Sequence, residues 1–168
     1  MQTHMQRATF DTSLGRCAIR WHDAGLTAFE LPEARAESAS SPAPSPPAEI
    51  VALIARVRQH LAGDFQDFSD LHYDFATVPV FNVAVLQATL AIKAGQIRSY
   101  GEIAKTIGQP PAASRGVGAA LGANRWPLII PCHRVVAADG KMTGFSGPGG
   151  VRTKVRLLQI EGALLIGE

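Results

Sequence analysis

The stretch Ser41-Pro42-Ala43-Pro44-Ser45-Pro46-Pro47 can be neither helix nor strand. Each proline removes a backbone donor and locks one dihedral. With the Pro, Ser and Ala residues before it, it makes residues 32–47 a loop. The sequence pattern changes across that loop. Residues 7–31 read as β-rich, with strand-like runs at 16–21 and 26–31 around the turn Asp23-Ala24-Gly25. Beyond the loop, Ile50, Leu53, Ile54, Val57 and Leu61 recur at helical spacing, and Gly63 ends that helix. Strands followed by helices predict an α+β fold.

Leu71, Tyr73 and Phe75 alternate as in a half-buried strand. A boundary near residues 76–80 then divides the chain. Residues 1–78 form a small N-terminal α/β domain with an antiparallel sheet, and residues 79–168 a mostly helical C-terminal domain. Val83, Leu86, Leu90 and Ala94 define its first helix, stopped by Gly95. Ser99 with Glu102 is a capping-box pattern, so a short helix begins there and ends by Gly108 and Pro110-Pro111. A second short helix spans about residues 112–121, and the pair fits a helix-turn-helix. Gly116 and Gly118 inside that helix cost about 1 kcal/mol each relative to alanine. Small side chains allow close approach, either of a neighbouring helix or of a nucleic-acid groove, with Arg115 the only long side chain. Residues 151–162 form the last helix, its apolar stripe marked by Val151, Val155 and Leu158.

Charge is divided as unevenly as secondary structure. Residues 1–80 carry 6 Lys+Arg and 10 Asp+Glu, a balance of −4; residues 81–168 carry 10 and 4, a balance of +6. A basic half suits a polyanionic partner, nucleic acid being the commonest. At 46% hydrophobic residues the 168-residue chain has a core to bury, which excludes disorder. Its two cysteines, Cys17 and Cys132, give neither a disulfide framework nor a CxxC zinc signature. His4 and His22 read as surface residues, without a second cysteine or acidic cluster at metal spacing. No signal peptide and no bilayer-spanning run is evident, which predicts a cytoplasmic protein.

The chemistry centres on Ile130-Pro131-Cys132-His133-Arg134-Val135-Val136, after the apolar run at 128–130, which reads as a short buried strand. A free thiol, with a pKa of about 8.5, needs a base or positive field to become a strong nucleophile; His133 and Arg134 are the local candidates. Cys17 has no charged constellation and reads as structural. Glu161 lies three residues beyond Leu158, on the same stripe. On spacing alone it sits at a frayed end before Gly162. If buried it must be paired, and His133 is the one histidine of the basic half. A Cys–His–Glu relay would follow, with a water between the adjacent Cys132 and His133.

The segments Ser99-Tyr100-Gly101-Glu102-Ile103-Ala104, Arg115-Gly116-Val117-Gly118, Gly122-Ala123-Asn124, the Pro-Cys-His-Arg motif, and Lys154, Leu157-Leu158 and Glu161-Gly162 stand in a characteristic order and spacing. Residues 79–163 thereby resemble the O6-alkylguanine-DNA alkyltransferases, the methylated-DNA–protein-cysteine S-methyltransferases. The resemblance implies DNA repair in one irreversible turnover: an O6-alkylated guanine is flipped from double-stranded DNA and its alkyl group moves to Cys132. It implies a thiolate relay through His133 and Glu161, proton donation by Tyr100 and a turn braced by Asn124. It further implies DNA contacts by Arg115, Tyr100, Ala113, Ser114 and Gly118, with Arg115 filling the gap left by the flipped base, in the minor groove. Val135, Phe145, Ser146 and Gly147 would form the base pocket. No cofactor, no metal and no membrane are implied, and the protein would act as a monomer, associated with the nucleoid if bacterial. Phe145 stands where many members have tyrosine, and the loop 146–150 is longer than in the shorter bacterial members.

Three rivals differ in outcome. A damage sensor would bind the lesion without transfer, but such proteins lack the cysteine. A thiol hydrolase with a Cys–His–Glu triad would turn over and would not need Arg115. An inert DNA-binding module would do neither.

Overall fold

The computed structural model describes residues 5–32, 45–138 and 150–163. Three strands, β1 (Gln6–Thr12), β2 (Gly15–His22) and β3 (Gly25–Glu30), form an antiparallel sheet in that order. Phe10 pairs with Cys17, and Ile19 lies between Ala8 and Phe29. These residues are buried, and α1 (Ala48–Leu61) contributes Ile50, Leu53, Val57 and Leu61 to the same apolar cluster. Removing a Leu or Ile side chain from water is worth about 1.5–3 kcal/mol, so the helical spacing read from the sequence is the packing stripe itself. The predicted α+β class holds.

The expected strand around Tyr73 reduces to a single bridge with Leu26. The Leu26 N–H donates to the His72 carbonyl and the Asp74 N–H to the Leu26 carbonyl, both at 2.9 Å. On the same strand the Phe29 N–H reaches the Arg125 carbonyl at 2.8 Å. Loop segments thus close this edge of β3. His22, read as a surface residue, is only 15% exposed and pairs through Nε2 with Asp74. His4, and most of the Pro-rich loop, lie outside the described residues.

Four more α-helices follow among the described residues: α2 (Val80–Leu90), α3 (Tyr100–Thr106), α4 (Ser114–Gly122) and α5 (Gly150–Ile160). α2 ends at Leu90, before the Gly95 stop that the sequence suggested, and the Ala91 N–H caps onto Ala88. α3 opens on the expected capping box: Ser99 accepts from the Glu102 N–H and Glu102 accepts from the Ser99 N–H, each at 3.0 Å. A 3-10 turn at Pro111–Ala113 leads into α4. A short parallel pair, β4 (Arg98–Ser99) and β5 (Val135–Val136), sets the segment after Cys132 beside the start of α3.

The apolar stripe of α5 differs from the expected one. Lys154, Leu157 and Leu158 are its buried residues, whereas Val151 is 39% exposed and Val155 is half-buried. Leu157 belongs to the cluster that holds the sheet, which turns the 154–157–158–161 face inward.

Two apolar clusters meet around residues 126–136. Trp126, Leu128, Ile129 and Ile130 join the cluster of the sheet and α1; Val135 joins the one built by Val85, Ile103, Val117 and Leu121. Among the described residues no helix is long and apolar enough to cross a membrane.

Candidate active site

Residues 128–130 are buried, as expected, but they form a turn and not a strand. Leu128 has φ 75°, in the left-handed region, which costs a non-glycine residue about 1–3 kcal/mol. The Ile130 N–H donates to Trp126, and the Cys132 N–H to Ile130, each at 2.8 Å. Asn124 provides what a neighbouring strand would have provided: its Oδ1 accepts from the Trp126 N–H at 2.9 Å and its Nδ2 donates to the Ile130 carbonyl at 3.0 Å. Burial of Leu128, Ile129 and Ile130 offsets the strain and delivers the chain to Pro131, after which Cys132–Arg134 make one 3-10 turn.

Cys132 is half-buried on that turn. Burial pushes its thiol pKa up; a hydrogen bond from Asn124, the charge of Lys154 and the backbone N–H groups of Cys132 and His133 pull it back only in part. The thiol therefore needs a base. His133 is fully buried, and burial lowers its pKa against the opposing pull of Glu161, leaving a neutral imidazole near neutral pH. Its Nε2 lies 3.0 Å from Glu161 Oε1. Paired with a carboxylate, Nε2 carries the hydrogen and Nδ1 keeps a lone pair. That Nδ1 is buried and has no hydrogen-bond partner among the described residues.

Glu161 is not at a frayed end. Gly162, at φ 71°, turns the chain, and the Ala163 N–H closes onto Leu158 at 3.0 Å. Glu161 is 3% exposed. Arg134 donates through Nε to Oε1 at 2.8 Å and through an η nitrogen to Oε2 at 2.6 Å, and His60 Nε2 meets Oε2 at 2.8 Å. Burial alone would raise this carboxyl; the hydrogen bonds from Arg134, His133 and His60 outweigh it and hold Glu161 well below the usual carboxylate range. Arg134, a candidate for the field at sulfur, is spent on this ion pair and on the Ile92 carbonyl.

A cysteine, a neutral histidine with a free buried nitrogen and a fully held carboxylate suit nucleophilic attack by sulfur. The pattern of the 6-O-methylguanine DNA methyltransferase DNA-binding domain matches residues 80–163. The methylated-DNA–protein-cysteine methyltransferase of Mycobacterium tuberculosis is 36% identical over 91% of this chain and 90% of its own. The chain belongs to this methyltransferase family. The crystal structure of the M. tuberculosis O6-methylguanine methyltransferase has a TM-score of 0.78 at 34% identity, covering 98% of this chain and 97% of that one. Another M. tuberculosis structure, of OGT in complex with DNA, has a TM-score of 0.76 at 35% identity, covering 92% of each chain.

On the methyltransferase fold of this chain, Tyr100 is the first residue of α3, half-exposed, with Lys154 Nζ 5.9 Å from its ring centre. Gly118 lies beside that ring: a Cβ there would stand 3.9 Å from Tyr100 Cε1. Arg115 is exposed in the first turn of α4, with Ala113 and Ser114 half-buried before it. Gly116 has the packing explanation, since a Cβ would come within 3.3 Å of the Phe81 ring on α2. Val135 is buried and its carbonyl accepts from Lys154 Nζ at 2.7 Å. Phe145, Ser146 and Gly147 lie outside the described residues.

Two polar residues beside Cys132 and Glu161 had no role in the sequence reading, which named Lys154 only within the motif order. Lys154, 1% exposed, is the cation whose charge favours the Cys132 thiolate. It lies one helical turn from Leu157 and Leu158, a spacing that marks a buried lysine once the inward face is known. His60 stands three residues after Val57 on the apolar face of α1, where a histidine must find partners. Among the described residues no group of three His, Cys, Asp or Glu side chains is placed to hold a metal ion.

Proposed function

We propose that this methyltransferase repairs O6-alkylguanine in double-stranded DNA by moving the alkyl group to Sγ of Cys132, once per molecule. The observation that carries the reading is the pairing of His133 Nε2 with Glu161, which leaves a buried, unpartnered Nδ1 on the residue next to Cys132.

His133 Nδ1 takes the thiol proton, through a bridging water, and Glu161 stabilises the imidazolium. Lys154 and Asn124 favour the thiolate. Sulfur attacks the alkyl carbon, the S–C bond forms and the C–O6 bond breaks. The electron pair leaves on guanine, and Tyr100 donates the proton that neutralises it. The thioether is stable and nothing in the site reduces it, so the product is a spent protein.

The same reading assigns α4 to the minor groove, with Arg115 inserted where the flipped guanine left the stack. Residues 1–78 and 79–168 act as two working parts, and the protein works as a monomer on cytoplasmic DNA. Mass spectrometry of the protein after incubation with an O6-methylguanine duplex tests the proposal. A gain of one methylene on the peptide holding Cys132 is expected. An unmodified protein bound to the lesion would make it a sensor, and multiple turnovers of an ester would make it a hydrolase.

A further inference from the structure

His60 is buried, titratable and unused by the mechanism above. It comes from α1, and it reaches Glu161 across 101 positions of sequence. Its ring is fully buried between Phe65 and Phe68, with centroids 5.4 and 5.5 Å away. The Gln66 N–H donates to its Nδ1 at 3.0 Å. A nitrogen that accepts cannot carry the hydrogen, so the neutral ring holds it on Nε2 and donates it to Glu161 Oε2, 2.8 Å away. Backbone geometry around Gln66 therefore selects the tautomer that the carboxylate needs.

Glu161 is gripped from two sides. Arg134, two residues from Cys132, holds both oxygens, while His60 holds Oε2 from the other part of the chain. His133 depends on Oε1 alone. Without His60, the carboxylate keeps one strong partner and is free to follow the guanidinium away from the imidazole.

We propose that His60 is a positioning residue for alkyl transfer: through its Nε2–H it fixes Glu161 where His133 can use it, so that α1 sets the reactivity of Cys132. The inference rests on the relay reading of Cys132, His133 and Glu161.

Two amides separate this role from a purely structural one. In His60→Gln the amide nitrogen takes the place of Nε2 and still donates to Glu161. In His60→Asn the shorter amide takes the place of Nδ1, keeps an acceptor for the Gln66 N–H and does not reach the carboxylate. Both full-length variants, with Glu161→Gln as control, are assayed for single-turnover transfer from a methylated duplex and for iodoacetamide alkylation of Cys132 across pH. His60→Gln keeps the wild-type profile. His60→Asn loses about tenfold at neutral pH, its acidic limb moving up by about one unit. The reverse ranking, or a loss equal at every pH, overturns the proposal and makes His60 a packing residue. Should His60→Asn not fold, His60→Gln decides alone: a profile like wild type supports the role, and a shifted one removes it. If Glu161→Gln moves the profile and His60→Asn does not, only the His60 inference falls. If Glu161→Gln moves nothing, the relay reading falls with it.

Discussion

The two cysteines of this protein occupy opposite environments. Cys17 lies in the sheet, 1% exposed, its Sγ 3.7 Å from Thr12 Oγ1. Burial pushes its thiol up to about 11, and the Thr12 hydrogen bond recovers little. Cys132 is also pushed up by burial, but it sits beside Asn124, Lys154, two backbone N–H groups and the His133–Glu161 pair. A buried thiol is inert by default, and reactivity is a property of the polar groups within reach.

The sharpest way to break this contrast is to exchange the thiols for hydroxyls. Cys132→Ser abolishes alkyl transfer and leaves DNA binding largely intact, whereas Cys17→Ser transfers at the wild-type rate. A labelled Cys17 in the Cys132→Ser protein would refute the assignment.

Glu161→Gln raises the apparent pKa of Cys132 and slows transfer on the order of 10²-fold, the lower end for positioned proton transfer. It also leaves Arg134 buried beside a neutral amide, and breaking such a pair costs about 3–5 kcal/mol. Thermal melts across pH check the second effect. The folded-state pKa of Glu161 lies below its unfolded value, so its stabilisation is fully present above the ordinary carboxylate range and is lost as pH falls below it. The variant and wild-type melting curves should therefore converge in acid.

Lys154→Met isolates the field at sulfur. It removes the buried cation that lowers the Cys132 pKa, so the thiol titrates higher and transfer slows at neutral pH. The apolar replacement also leaves the buried Val135 carbonyl without its donor, a loss of about 1–3 kcal/mol. A loss of stability together with unchanged thiol alkylation would show that Lys154 serves only to hold Val135.

Arg115→Ala should leave both thiols as they are. Iodoacetamide alkylation keeps its pH profile, and on the proposed insertion of Arg115 repair of the duplex slows, because extruding a base costs a few kcal/mol that an inserted guanidinium would partly offset. Reaction with free O6-benzylguanine is spared, since nothing has to be flipped. Equal losses on both substrates would assign Arg115 to the fold.

Periodicity made α1, α3 and α4 legible, because each is a local matter of caps, stops and one apolar face: Ile50, Leu53, Val57 and Leu61 for α1, Ser99 with Glu102 for α3. It misjudged segments whose backbone partners are distant. Residues 128–130 are as apolar as a strand, but Asn124 satisfies their backbone groups and they turn. The face of α5 was misread because Val151 and Val155 look like core residues, and Lys154 like a solvent-facing one, until its partner is in place.

The amino-acid sequence by itself determined that Cys132 has a histidine and an arginine beside it, that the cysteine-bearing half is basic, and that two short helices precede it. These are properties of neighbours in the chain. Only the tertiary structure decided which groups share one buried volume: that Arg134 belongs to Glu161 and not to the thiol, that Lys154 supplies the charge at sulfur, and that His60 crosses from α1 to the same carboxylate. The physical reason is that a buried charge takes its energy from whatever surrounds it in space, and sequence spacing does not specify those surroundings.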